Sequence, residues 1–320
     1  MFRRTILPAF GLVLLALALL VVALRLSAMQ RETVSRDDLL PARGEMVNTS
    51  MGAVYVDARG PEEGVPVLLV HGSVGWAGFW GETSDALAAA GYRAIAFDLS
   101  PMGFSDRDPK ADYTRPRQAQ RILSLIRALN IKPILLAHSF GAGPGVEALM
   151  DTPDRFRAAV IVAGALGVGS EPAPLPAPLR PAWVREAVVS ATITNPPALP
   201  YLLAMFLHKK DRATPEYVDI LTTPYPREGT TEAIADWLPT LLSTVPEARS
   251  IDPEAYPRID LPITLIWGEE DTATPIAQGE WLRDTIPGSS LIRLPDLGHI
   301  PQIEDPAVFQ KALLDALGQL

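Results

Sequence analysis

"ILLAHSFGAG", residues 134–143, decides how the whole chain is read: a short apolar run meets a histidine and a serine, and glycines follow at 141 and 143. The run "KPILLAH" has the apolar density of a strand buried on both faces, and "FGAGPGVEALM" reads as the helix after it. A serine at such a step has two readings. Its oxygen can cap the new helix, or the residue can be a nucleophile held on a tight turn. The turn by itself leaves both open. A hydroxyl is a weak nucleophile at neutral pH, so the second reading needs a base within reach and an acid behind it.

The chain offers four histidines, His71, His138, His208 and His299. His71 precedes Gly72 in the turn after an early strand. His138 adjoins Ser139 along a strand, so its side chain is expected on the opposite face. His208 stands beside Lys209 and Lys210 and reads as solvated. His299 lies in "LPDLGHIPQIEDP", between the last strand and the last helix, where Gly298 gives the loop freedom to place an imidazole over the strand ends. It is the histidine placed to be the base. For the acid, "IWGEEDTATP" puts Asp271 just past a buried strand, with Glu269 and Glu270 as neighbours set less well. The strand after the serine ends in "VIVAGALG" without a carboxylate, and Asp296 reads as a solvated turn residue.

Around these residues, strand-like and helix-like runs alternate. "AVYVDA", "VPVLLVHG", "YRAIAFDL", "KPILLAHS", "RAAVIVAGALG", "ITLIWG" and "SLIRL" read as strands, with amphipathic segments such as "RPRQAQRILSLIRALN" between them. Repeated β-α-β units imply a mainly parallel sheet covered on both sides. From 169 to 250 no buried-strand run appears. A proline-rich stretch leads there into "ALPYLLAMFLHKK" and "TEAIADWLPTLLS". About 80 residues without structure inside a sheet would be improbable, so this insertion reads as a helical cap. The core is then expected over 45–168 and 251–320, and a linker over 29–44.

Residues 6–24, "ILPAFGLVLLALALLVVAL", carry no charge and follow Arg3 and Arg4. Their length suits a helix crossing a hydrocarbon core of about 30 Å. An uncleaved single-pass anchor over 1–28 is therefore expected, with the catalytic domain on the extracytoplasmic, periplasmic side; cleavage would make the protein secreted. A net charge of -9 argues against nucleic acid as a partner. The absence of cysteine excludes thiolate nucleophiles and disulfides.

Five pieces in fixed order, "HGSVGWAGFW", "DLSPMGFSD", "AHSFGAG", "WGEEDTATP" and "GHIPQIEDP", resemble the α/β-hydrolase fold superfamily from about residue 45 to the C-terminus. The resemblance implies an eight-stranded, mainly parallel sheet with an inserted helical cap. It also implies acyl transfer in which Ser139 attacks, His299 is the base and Asp271 holds the imidazolium. The backbone N–H groups of Ser73 and Phe140 are implied as the oxyanion hole, and neither a metal nor an organic cofactor is called for. Two departures stand out: Pro101 replaces a glycine in the "DLSPMGFSD" turn, and Ala137 replaces the first glycine of the elbow. Relatives that dehalogenate haloalkanes or open epoxides resemble the chain around Trp80, but carry aspartate where Ser139 stands. The expected substrate is a small molecule, a hydrophobic carboxylic ester, with Trp80, Trp183 and Phe206 as candidate pocket residues. C–C bond hydrolysis or cofactor-free perhydrolysis by the same triad is the alternative. A non-catalytic hydrolase-fold protein at a membrane is a third reading.

Overall fold

The computed structural model describes the backbone of residues 3–171, 173–243, 245 and 247–320, and the side chains of the same residues except 3–11, 13 and 14. Eight strands form one sheet: β1 (Glu45–Thr49), β2 (Gly52–Arg59), β3 (Pro66–Val70), β4 (Arg93–Phe97), β5 (Ile134–His138), β6 (Ala158–Val162), β7 (Ile263–Gly268) and β8 (Ser290–Leu294). Their spatial order is β1-β2-β4-β3-β5-β6-β7-β8. Strand β2 runs antiparallel to both β1 and β4, and every pair from β4 to β8 is parallel. The expected architecture is present. The strand missing from the sequence reading is β1, whose "EMVNT" is neither continuously apolar nor strictly alternating.

The central strands form because they are apolar throughout. Every residue of β5, β6 and β7 is buried, as expected when helices cover both faces of a parallel sheet. The helices are α1 (Arg3–Arg31), α2 (Arg36–Leu39), α3 (Gly81–Ala89), α4 (Arg115–Ala128), α5 (Ala142–Asp151), α6 (Ala182–Ala191), α7 (Leu199–Phe206), α8 (Pro215–Thr222), α9 (Thr230–Leu242), α10 (Ala277–Thr285), α11 (Pro301–Glu304) and α12 (Pro306–Leu317). Helix α4 packs on α5, and α12 on α3. Helices α6 to α9 all lie between β6 and β7 in the chain. On the other side of β5, the order reverses at β3: β4 follows β3 in sequence but lies on its far side. Such a switch point leaves a crevice at the carboxyl ends of the two flanking strands. The register Val70↔Ala137 places the loop after β3 directly beside Ser139.

The N-terminus corrects the sequence reading. Among the described residues no helix is long and apolar enough to cross a membrane, so the expected single-pass anchor and the localisation built on it do not stand. Part of the expected span, residues 6–11, 13 and 14, lies outside the residues whose side chains are described. The later turns of α1 dock on the protein itself. The Arg25 guanidinium bonds Glu186 of α6 and Glu232 of α9, and Ala28 is fully buried. Glu32 then accepts from the N–H and hydroxyl of Thr231. The stretch expected to be a linker continues this attachment, with Val34 bridging to Arg227 and Arg36 pairing with Asp106.

Candidate active site

Ser139 sits immediately after β5 with φ +51°, in the left-handed region that non-glycine residues rarely occupy. A 3-10 turn, Ser139–Gly141, leads into α5. The turn is tight because its backbone passes against the loop after β3. A Cβ at Gly141 would lie 2.4 Å from the His71 carbonyl oxygen, a distance no side chain tolerates. The methyl of Ala137 finds its space at Gly145 of α5, where an added Cβ would come within 3.3 Å of it. Gly143 makes room for Arg115, whose Nε would lie 2.8 Å from a Cβ there. The serine does not cap α5, since no side chain caps its N-terminus.

The Ser139 hydroxyl donates to His299 Nε2 at 2.8 Å, and His299 Nδ1 donates to Asp271 Oδ2 at 2.9 Å. The three residues predicted from the sequence are thus brought into one hydrogen-bonded chain, and all three are buried. Asp271 is held from several sides. The backbone N–H groups of Ala273 and Thr274 donate to its Oδ1, both at 2.8 Å. The Thr274 hydroxyl lies 2.7 Å from its Oδ2 and 3.1 Å from His299 Nδ1. Burial by itself would raise the Asp271 carboxyl, but the hydrogen bond and charge of His299, together with Thr274, outweigh burial and hold it below the usual carboxylate range. The arrangement can therefore take a proton from the serine and stabilise the resulting imidazolium.

His138 was expected to point away from the serine. Its Nε2–H in fact donates to the carbonyl oxygen of His299 at 2.9 Å, with the two rings 5.3 Å apart. Burial, with the neighbouring His299, lowers its pKa to about 3, so the ring is neutral. His71 is likewise neutral, lowered by burial to about 4. It donates from Nδ1 to Gly72 O at 2.8 Å and accepts from the Leu99 N–H at 2.9 Å, bracing the loop that carries Ser73. A Cβ at Gly72 would lie 3.1 Å from Ser139 Cβ, so that loop abuts the elbow. Among the described residues, neither the Ser73 nor the Phe140 amide takes part in the turn and loop hydrogen bonds of this region.

The three candidate pocket residues part company. Phe206, at the end of α7, has its ring 5.7 Å from that of His299, and its carbonyl accepts from the His299 N–H at 3.2 Å. Trp80 is in the core, edge-on to His138 at 6.2 Å. Its indole N–H has no partner among the described residues. Trp183 is 71% exposed on α6 and is not brought to the site. Trp237 of α9, another apolar residue of the segment between β6 and β7, packs its ring edge-on to that of Phe140 at 5.1 Å. A cavity of about 340 Å³ opens beside Phe140 and Thr274, with Arg115, Ala165, Leu241 and Leu242 among its walls. An apolar groove of about 560 Å³, lined by Val168, Trp281 and Leu282, shares Gly167, Ser170 and Gln278 with it.

The fold recurs in known proteins. Residues 65–306 match the family model of the alpha/beta hydrolase fold. The chain is 27% identical over 265 residues to a 2-hydroxymuconate semialdehyde hydrolase of Pseudomonas putida, covering 80% of this chain and 88% of that protein. The meta-cleavage product hydrolase of Pseudomonas fluorescens superposes with a TM-score of 0.70 at 22% identity, covering 87% and 98% of the two chains. A bacterial virulence factor described as a membrane phospholipase A superposes with a TM-score of 0.69 at 18% identity, covering 99% of both.

Proposed function

The chain belongs to the alpha/beta hydrolase fold family, and from that premise we propose that it is a serine hydrolase cleaving a small-molecule carboxylic ester with a hydrophobic acyl or alkyl group. The observation that carries this reading is the bond chain Ser139–His299–Asp271, at 2.8 and 2.9 Å, with the serine on a left-handed turn. Ser139 Oγ attacks the ester carbonyl carbon while His299 Nε2 takes its proton, and Asp271 stabilises the imidazolium. The amides of Ser73 and Phe140 hold the oxyanion, a contribution of about 3–4 kcal/mol for one donor. Collapse of the tetrahedral intermediate expels the alcohol, which takes the proton from His299. Water, deprotonated by the same imidazole, then attacks the acyl-enzyme and frees the carboxylic acid and Ser139.

In this reading residues 45–168 and 251–320 form the catalytic core and 169–250 the cap that selects the substrate. The apolar groove lined by Val168, Trp281 and Leu282 supports a hydrophobic substrate, while the cavity beside Phe140 that it adjoins has polar walls as well, Arg115, Glu171 and Gln278 among them. Their volumes fall in the usual range for small-molecule sites, about 300–1,000 Å³. Hydrolysis of a C–C bond by the same residues is the second reading, favoured by the similarity to the Pseudomonas putida 2-hydroxymuconate semialdehyde hydrolase. A series of p-nitrophenyl esters graded by acyl length, assayed beside a 2-hydroxy-6-oxo-dienoate, tests both. Rates rising from acetate to longer acyl groups are expected. Fastest turnover of acetate would overturn the hydrophobic preference, and cleavage of the dienoate ahead of every ester would select the second reading.

A further inference from the structure

The main chain of His299 is held at both of its polar groups. Its carbonyl accepts from His138 in the core, and its N–H donates to Phe206 in the segment between β6 and β7. The second of these bonds depends on the turn after α7 being seated against the His299 loop. That seating converges on one buried carboxylate. Glu304 Oε2 accepts the N–H groups of His208 and Lys209, each at 3.0 Å, from the turn after α7. From the His299 loop, the Gly298 N–H lies 3.1 Å from both of its oxygens, and the Ile300 N–H lies 3.4 Å from Oε1. No cation pairs with Glu304 among the described residues; backbone N–H groups from two separate segments satisfy it. The approach leaves no slack, because a Cβ at Gly298 would lie 2.7 Å from the His208 nitrogen and 2.8 Å from Glu304 Oε1. Around it, His208 and Lys209 pair with Asp296, whose side chain is largely exposed. Exposed pairs of this kind contribute little; the buried carboxylate is the polar tie at the turn itself, beside the apolar packing of Leu203 and Leu207 against Ile300 and Ile303 and the bond from Arg212 Nε to the Ile303 carbonyl.

We propose that Glu304 is a positioning residue that couples seating of the turn after α7 to placement of the base, so that His299 reaches Ser139 only while that turn is docked. Release of the turn removes the acceptor for the His299 N–H and frees the loop that carries the imidazole. Displacement of a reacting group by about 1 Å can cost about a hundredfold in rate. The coupling rests on His299 being the base, and it adds a reason for the buried state of the serine: the enclosed arrangement is the assembled one.

The test compares the full chain with Glu304→Gln, which keeps the shape but turns an amide donor toward the N–H groups. Four quantities are read: the rate of Ser139 labelling by a fluorophosphonate, kcat and KM on p-nitrophenyl butyrate, and the near-UV circular dichroism spectrum. The expected result is a native spectrum with labelling rate and kcat both down about ten- to a hundredfold and KM changed less than about threefold. A folded variant that labels within twofold of the wild type overturns the proposal. Gly298→Ala, which leaves the carboxylate in place and pushes on the same turn, is expected to give the same split. Amide exchange of the unmutated protein needs no variant and no activity: the N–H groups of His208, Lys209 and His299 are expected to open together, and independent opening overturns the coupling. Failure of the wild type to label at all would instead strike the assignment of Ser139, which the exchange measurement does not depend on.

Discussion

The two halves of the hydrogen-bonded chain are held by different means. Ser139 is placed by its own neighbourhood in the sequence: β5 before it, a left-handed residue, a glycine two positions on and α5 after it. Its surroundings contribute mainly by crowding, through the His71 carbonyl against Gly141. His299 is placed by remote groups, namely His138 from β5, Phe206 from the end of α7, Asp271 and Thr274 from the loop after β7, and Glu304 through the turn at 208–209. Ser139 is thus fixed locally and His299 tertiarily. Substitutions of the residues that pack around Ser139 should act through the fold, and those of the groups that position His299 through catalysis.

The comparison can be broken in four ways. Asp271→Asn keeps the size of the side chain but removes the charge that holds the imidazolium. A loss of about 10⁴-fold in kcat is expected, with the native fold retained, measured by steady-state kinetics beside circular dichroism. Gly141→Ala sits on the other side. Its methyl would meet the His71 carbonyl at 2.4 Å, so unfolding in urea should show a loss of at least about 3 kcal/mol, since backbone cannot step aside. His138→Leu removes the donor to the His299 carbonyl. It should lower kcat about ten- to a hundredfold with little change in KM, and His138→Gln, which retains a donor of similar reach, should restore most of it. Equal kinetics for the two variants would show that the ring only fills space.

The smallest effect is on the pH dependence of stability. His71 and His138 are neutral when folded, lowered by burial to about 4 and about 3, but protonate near pH 6.5 when unfolded. Between pH 6 and pH 4 the unfolded chain binds the extra protons, so their contribution is present above pH 6.5 and is lost as pH falls. Each contributes a slope of about 1.4 kcal/mol per pH unit. Asp98, pushed up to about 7 by burial, acts in the opposite sense, since the folded state keeps a proton there that the unfolded state releases. Urea melts of wild type and His71→Gln over this range should show the variant's slope smaller by about 1.4 kcal/mol per pH unit.

The same contrast explains what could be read from the sequence. The buried strands lie in short contiguous patterns legible in themselves, whereas the turn at Ser139 left two readings open until the order serine, aspartate, histidine along the chain was set beside it. Glu304 and His138 are also in plain view, but their roles depend on which loops meet, and that is a property of the folded chain. Trp80 and Trp183 were misplaced for a related reason. Their residue type suits a pocket, but one lies in the core and the other on an exposed face of α6. At the N-terminus, apolar composition suggested a membrane span. The polar residues at its close, Arg25, Arg31 and Glu32, are the ones that tie the helix to the segment 186–232. Gly143 and Gly145 show the limit at finest grain: both permit close packing, and only the three-dimensional register tells which faces Ala137.

The claim on which the rest depends is that Ser139 is an activated nucleophile, and covalent labelling reads it most directly. Wild type, Ser139→Ala and His299→Gln would be treated with a fluorophosphonate and analysed by intact mass and peptide mapping. Stoichiometric modification of the wild type at Ser139, none in Ser139→Ala and slow modification in His299→Gln is the predicted result. Labelling of wild type and Ser139→Ala to the same extent, or no labelling of the folded wild type, would contradict the account.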